Sequence, residues 1–294
     1  MHFLQPTTWA EALEAKAAHP DAVAIAGGTD VMVAVNFGRL RPARLLDLTR
    51  IEDLRQWDTE DGAVRLGAGV PYARVITELG DRLPGLAMAA RTIGSPQIRN
   101  RGTVGGNLAT ASPAGDAHPA LLAADAEVEV ASVRGSRRIP VADFYTGVKR
   151  TAMADDELIA AVRIVPPSGP QQYSKIGTRN AMVIAVAAFG LALHPARRAV
   201  GTGIGSAAPT PRRAPAAEEF LAGELDGSWD SRAELPSATA ARFGELVAEA
   251  AAPIDDVRGT ARYRVHALSV MARRALTWAW AEYRTDSRDS PKEA

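Results

Sequence analysis

The sequence predicts an α+β protein in two parts: a two-lobed N-terminal domain, then a smaller α+β domain with a three-stranded antiparallel sheet and helices. Three observations carry this. A strand, a Gly-Gly turn, a short apolar helix and a second strand follow one another within residues 22–48, the order of a small parallel α/β lobe. The segment Pro166-Pro167-Ser168-Gly169-Pro170 breaks all periodicity and reads as a linker. Beyond it come three β-like segments and then three helical ones. The domains are therefore expected at 1–168, with lobes of about 1–51 and 52–168, and at 171–286, followed by a tail at 287–294.

Each element has a local reason. Thr8-Trp9-Ala10-Glu11 has the spacing of a capping box, so a helix runs from there to about Ala18, where His19-Pro20-Asp21 stops it. Ala22–Ala26 is a short buried strand, Val31–Phe37 one or two helical turns closed near Gly38, and Arg44–Leu48 another strand. In the second lobe Ala63–Ala68 alternates as a half-buried strand does, and Pro71 sits where the helix Tyr72–Leu79 starts. Leu86–Arg91 is a second short helix, and Ser95–Gly102 reads as turns. Glu127–Ala131 and Arg137–Val141 flank Arg134-Gly135-Ser136 as a hairpin, and Glu157–Val165 is a further strand. After the linker, Gln171–Thr178, Val183–Leu193 and Ala199–Ser206 predict an antiparallel meander. Ala214–Ala222, Ala238–Ala251 and Thr260–Tyr283 predict helices, and the tail from Arg284 is polar.

Composition narrows the function. Lys+Arg and Asp+Glu both number 34, so no bulk basic field exists to hold nucleic acid. There is no cysteine, which excludes disulfides, thiol nucleophiles and Cys-ligated iron–sulfur or zinc sites on this chain. No apolar run approaches the ~20 residues that span a bilayer, and the N-terminus lacks a signal-peptide pattern, so a cytoplasmic location is expected. The five histidines form no metal-binding pair, and no Gly-x-Ser-x-Gly elbow occurs. No metal ligand and no catalytic acid, base or nucleophile is therefore named.

Two glycine-rich segments stand out. Ala26-Gly27-Gly28-Thr29-Asp30 lies between a strand and a helix, where backbone N–H groups and the Thr29 hydroxyl suit a pyrophosphate. The alternative is a tight βα turn with no ligand. It is not a Gly-x-Gly-x-x-Gly fingerprint, which disfavours a nicotinamide site. Gly102-Thr103-Val104-Gly105-Gly106-Asn107 is followed by the hydroxyls of Thr110 and Ser112 and by Asp116, which suits a sugar hydroxyl. Its alternative is a surface loop, with Asp116 capping a helix that starts near Pro119. His118, the one histidine near either segment, reads as a loop or core residue rather than a catalytic or covalently flavinylated one. Lys175 reads as a surface lysine or, more sharply, as a flavin-edge or phosphate contact.

Residues Ala24–Asp30 and Ile98–Asp116 resemble the two flavin loops of the FAD-binding medium subunit of molybdenum hydroxylases, the xanthine dehydrogenase and aerobic carbon monoxide dehydrogenase family. Gly203–Pro211 and Asp256–Arg264 are similar to its C-terminal turn and last helix, so the resemblance covers nearly the whole chain in order. It implies a two-lobed FAD domain of the vanillyl-alcohol oxidase (PCMH) type and non-covalent FAD. By position it implies that Ala24, Ile25, Ala26, Gly27, Gly28, Thr29, Asp30 and Val31 wrap the pyrophosphate together with Thr103, Val104, Gly105, Gly106 and Asn107. Asp116 would hold a polar part of the cofactor, with Ile93, Ile159 and Lys175 as further contacts. It also implies partners: a molybdopterin-binding large subunit, a 2Fe–2S small subunit, and NAD⁺ or another electron acceptor, in a heterotrimer or a dimer of heterotrimers. The cysteine-free composition agrees with clusters on another chain. Two other readings stay open on the residues alone: a free-standing FAD oxidoreductase of the same fold, and a scaffold subunit without flavin.

Overall fold

The computed structural model describes residues 1–285. The expected tail at 287–294, and the last residue of the expected second domain, lie outside the described residues.

The chain opens with β1 (His2–Leu4), α1 (Trp9–Ala18), β2 (Val23–Ile25), α2 (Val31–Asn36) and β3 (Arg44–Asp47). The strands form a parallel sheet in the order β1-β3-β2. The capping box is complete: Glu11 N–H donates to Thr8 Oγ1 at 3.2 Å, and the Glu11 carboxylate accepts from the Thr8 N–H at 3.3 Å. Strand β1 has no signal in the sequence, because three residues are too few to show a period.

The second lobe contains β4 (Trp57–Glu60), β5 (Ala63–Gly67), α3 (Tyr72–Glu78), α4 (Pro84–Thr92), α5 (Pro96–Arg101), α6 (Val104–Thr110), α7 (Ala117–Ala123), β6 (Glu127–Ser132) and β7 (Gly135–Pro140). Short elements α8 (Val141–Phe144), β8 (Tyr145–Gly147) and β9 (Arg150–Thr151) lead to β10 (Leu158–Ile164). Its sheet is antiparallel throughout, in the order β4-β5-β10-β6-β7. A bulge between Ile159 and Ala161 bends β10 beside Ile159.

Two expectations change here. Ser95–Gly102, read as turns, is helix α5, with Pro96 in its first turn and the Ser95 hydroxyl accepting from Ile98 N–H. The second glycine segment is not a loop. It is the start of α6, capped by the Thr103 hydroxyl on Gly106 N–H at 3.0 Å. Paired glycines disfavour a helix by about 1 kcal/mol each, so the sequence argued for a loop; tertiary contacts override that propensity.

The C-terminal part has β11 (Gln171–Ile176), β12 (Ala187–His194), β13 (Ala199–Gly205), α9 (Pro215–Glu224), α10 (Ser228–Ser231), α11 (Ser237–Glu249) and α12 (Ala261–Thr285). The strands run antiparallel in the order β11-β12-β13. One core, around Leu66, Leu108, Val128 and Val162, is centred on the second lobe and reaches Leu46 of the first lobe and Tyr173 of β11; another, around Phe189, Phe243, Leu268 and Trp280, lies between the last sheet and its helices. Helix α7 lies directly on β12 and β13. A Cβ on Gly203 would come within 2.1 Å of the Pro119 carbonyl oxygen, so only glycine permits this approach. Pro113 O also accepts from Ser206 N–H at 2.7 Å. The turn after α6 is therefore fastened to the C-terminal sheet.

Candidate functional site

A cleft opens between the two N-terminal lobes. It has two adjoining cavities of about 280 and 310 Å³, both bordered by Ala26, Leu48 and Gly69. The smaller is lined by Gly27, Thr49, Arg55, Asn100, Arg101 and Thr103. The larger is lined by Ala24, Gly105, Gly106, Ala109, Met153, Leu158 and Ile159, with Lys16, Asp155 and Glu157. Parallel strands β2 and β3 end at this cleft, and ligands of parallel sheets bind beyond the carboxyl ends of strands. That rule was the signal for Leu48 and Thr49, which sequence reasoning missed along with Arg55, Gly69, Asn100 and Arg101.

The two glycine segments interlock at the cleft. A Cβ on Gly27 would lie 1.9 Å from the Arg101 carbonyl oxygen. Gly28 has φ +75°, which a glycine adopts without strain. Thr110 Oγ1 donates to Asp30 Oδ2 at 3.3 Å, joining the segments a second time. Among the described residues, the N–H groups of Gly27, Gly28, Thr29 and Asp30 have no protein acceptor. The N–H groups of the second segment are engaged, save that of Thr103. Val104 donates to Val70 O, Gly105 to Ala68 O, Gly106 to Thr103 Oγ1 and Asn107 to Thr103 O, at 3.0–3.2 Å. Asn107 Oδ1 is buried without a partner.

A second group of predicted residues meets where the two parts of the chain join. Lys175 Nζ on β11 donates to Asp116 Oδ2 at 2.7 Å and to Thr92 O at 3.1 Å, next to Ile93. Both side chains are buried, so Lys175 is not a surface lysine. Burial pushes the Asp116 carboxyl above its ordinary range, against the opposing pull of the Lys175 ammonium. Asp116 stands at the N-terminus of α7 but its side chain makes no capping bond there; pairing with Lys175 takes its place. Asp116 Oδ1 is buried facing the buried Tyr173 hydroxyl, with no well-formed hydrogen bond between them. Ser112 Oγ accepts from Ala114 N–H at 3.3 Å and shapes the turn before Asp116.

His118 is fully buried, with Nδ1 2.6 Å from the Tyr145 hydroxyl. Burial drives its pKa down to about 3, so it is neutral at physiological pH. Its ring fills the space where a Gly115 Cβ would be, at 2.1 Å. It is a core residue, as its sequence context suggested.

Residues 1–167 match the family described as FAD binding domain in molybdopterin dehydrogenase, and residues 172–279 match the CO dehydrogenase flavoprotein C-terminal domain. The chain belongs to the FAD-binding medium subunits of the xanthine dehydrogenase and carbon monoxide dehydrogenase family. It is 30% identical over 288 residues to the putative xanthine dehydrogenase FAD-binding subunit of Escherichia coli (strain K12), covering 93% of this chain and 94% of that one. It is also 30% identical to the nicotine 6-hydroxylase medium subunit of Paenarthrobacter nicotinovorans, covering 96% and 98%. Among solved structures, carbon monoxide dehydrogenase from Hydrogenophaga pseudoflava superposes with a TM-score of 0.86 at 27% identity, over 96% of this chain and 98% of that chain. Like other members of this family, the chain is the flavoprotein subunit of an oxidoreductase complex. Among the described residues, no helix is long and apolar enough to cross a membrane.

Proposed function

We propose that this chain binds FAD non-covalently in the interlobe cleft and relays electrons within a multi-subunit molybdenum hydroxylase. The observation that carries the reading is the run of four unengaged amides at Gly27–Asp30, which begins at the cleft-lining Gly27. A diphosphate needs converging donors, and successive backbone N–H groups supply them without the entropy loss of ordering long side chains. The buried Asn107 Oδ1, which has no partner, and Asp116 Oδ1, which has no well-formed hydrogen bond, fit the hydroxyls of a ribityl or ribose chain.

In this assignment Ala24–Val31 hold the diphosphate, and Thr103–Asn107 form the facing wall. Ile159 lines the apolar cavity and would contact the cofactor there. Thr110 and Ser112 order the turn that leads to Asp116, while Ile93, Asp116 and Lys175 make a second polar station. The N-terminal lobes, 1–168, would be a PCMH-type FAD domain and 171–286 its C-terminal companion. FAD when bound supplies the ability to take electrons singly and release them as a pair; the chain's own residues bind it, orient it and exclude water.

Molybdopterin belongs to a large partner subunit and the 2Fe–2S clusters to a small one, since this chain has no cysteine to ligate a cluster. NAD⁺ or another acceptor takes the electrons onward. Relatives named medium subunit and medium chain support a heterotrimer or a dimer of heterotrimers. A chain without disulfides suits the reducing cytoplasm.

Co-expression with the two partner subunits tests this. The expected product is a yellow complex with one FAD per copy of this chain, from which flavin reduction by substrate leads to acceptor reduction. A colourless chain that takes up no added FAD overturns the assignment. Substrate turnover by the isolated yellow chain overturns the relay role.

A further inference from the structure

The cleft is electrically lopsided. Its larger cavity carries Lys16 and two carboxylates, Asp155 and Glu157, the latter paired with Arg137, beside the apolar side chains of Met153, Leu158 and Ile159. Its smaller cavity carries two arginines, Arg55 and Arg101, and no carboxylate. The smaller cavity is therefore the one whose charge attracts a polyanion. Three cations line the cleft in all, and they differ in what already holds them. Lys16 Nζ donates to Pro20 O and Ala22 O, both at 2.8 Å, and its side chain is nearly buried. Arg55 stands 4.0 Å from Glu52, a loose pair. Arg101, at the end of α5, is exposed, and among the described residues its guanidinium has neither a hydrogen bond nor an ion pair.

The neighbouring arginine sharpens the contrast. Arg99, two residues earlier, uses its guanidinium to hold the carbonyls of Ile93 and Gly94 at 3.0 and 3.2 Å. Arg99 therefore has a structural task, and Arg101 has none. The main chain of Arg101 is also fixed, because its carbonyl faces Gly27 at a distance that admits no Cβ. A free cation is thus anchored beside the four free amides.

We propose that Arg101 is the cation that neutralises the diphosphate of the bound dinucleotide, and so makes the cleft prefer FAD to a flavin without phosphates. This rests on the assignment of the cleft to FAD. A guanidinium suits the task because its planar fork can donate two hydrogen bonds to one phosphate.

The test is flavin-fluorescence titration of the full-length apo chain with FAD and, separately, with riboflavin. Wild type, Arg101→Gln and Arg101→Lys are compared at low and high KCl. Removing the charged fork predicts FAD affinity lower by at least about 10- to 100-fold in Arg101→Gln. Riboflavin affinity should stay unchanged, and the salt dependence of FAD binding should flatten. Arg101→Lys keeps the charge and should recover most of the loss; it decides the matter should the glutamine variant fail to fold. Unchanged FAD affinity in Arg101→Gln overturns the proposal. So does equal weakening of FAD and riboflavin, or a lysine variant no better than glutamine. A wild-type chain that binds no FAD overturns instead the assignment of the cleft, and this proposal with it.

Discussion

The two glycine segments look alike on paper and do opposite work. Gly27–Asp30 leaves four consecutive N–H groups without protein acceptors at the edge of the cleft. Gly102–Asn107 has engaged its amides from Val104 to Asn107 with Val70, Ala68 and Thr103. Its glycines serve proximity: a Cβ on Gly105 would meet Ala68 Cβ at 2.5 Å. Paired glycines can therefore present amides to a ligand or let two chain segments touch. This protein places one example of each on facing walls of a single cleft.

The largest effect is expected from Gly27→Ala. Its Cβ would meet backbone rather than a movable side chain, so the Arg101 turn must shift. We expect loss of retained FAD, read by absorbance of the purified chain, and destabilisation of about 3 kcal/mol in urea unfolding. Retained FAD would show that the amides of this segment are not the cradle.

Acid probes the structural role of the second segment's far end. His118 has a folded pKa of about 3, well below its ordinary value of about 6.5. The unfolded chain therefore binds the extra proton first, and stability falls as pH drops from about 6.5 toward 3. The loss should be on the order of 5 kcal/mol, and His118→Gln should flatten that part of the stability–pH curve. Asp116 acts in the opposite sense: its raised pKa makes the folded state hold the proton longer, so its own contribution weakens as pH rises from about 4 through the raised value. An unchanged slope in the histidine variant would assign acid sensitivity elsewhere.

Gly105→Ala should lower stability by about 1–3 kcal/mol through overpacking against Ala68 while the folded fraction still takes up FAD. Loss of FAD binding without loss of stability would reverse the division of labour drawn above. Thr103→Ala removes the cap on Gly106 N–H and should cost about 1 kcal/mol, seen as a small fall in the urea midpoint.

Much of the fold was legible because its signals are local. The Thr8/Glu11 capping box lies within one helical turn, and Ala63–Ala68 alternates over a single strand. Helix α5 was not legible, since Ser95-Pro96 at its start resembles a turn as much as a cap. At the candidate site, the sequence pointed to both glycine segments and to Asp116 and Lys175. It was silent on Arg101, which differs from Arg99 only in what surrounds it.

By itself the sequence determined the order of elements, the family, and the absence of cysteine that sends iron–sulfur ligation elsewhere. Tertiary structure alone decided which glycine segment keeps its amides free, and that Asp116 pairs with Lys175 across 59 residues of sequence. The reason is physical. Propensity and capping depend on neighbours within a few residues, whereas the satisfaction of a hydrogen-bonding group depends on whatever the fold brings against it.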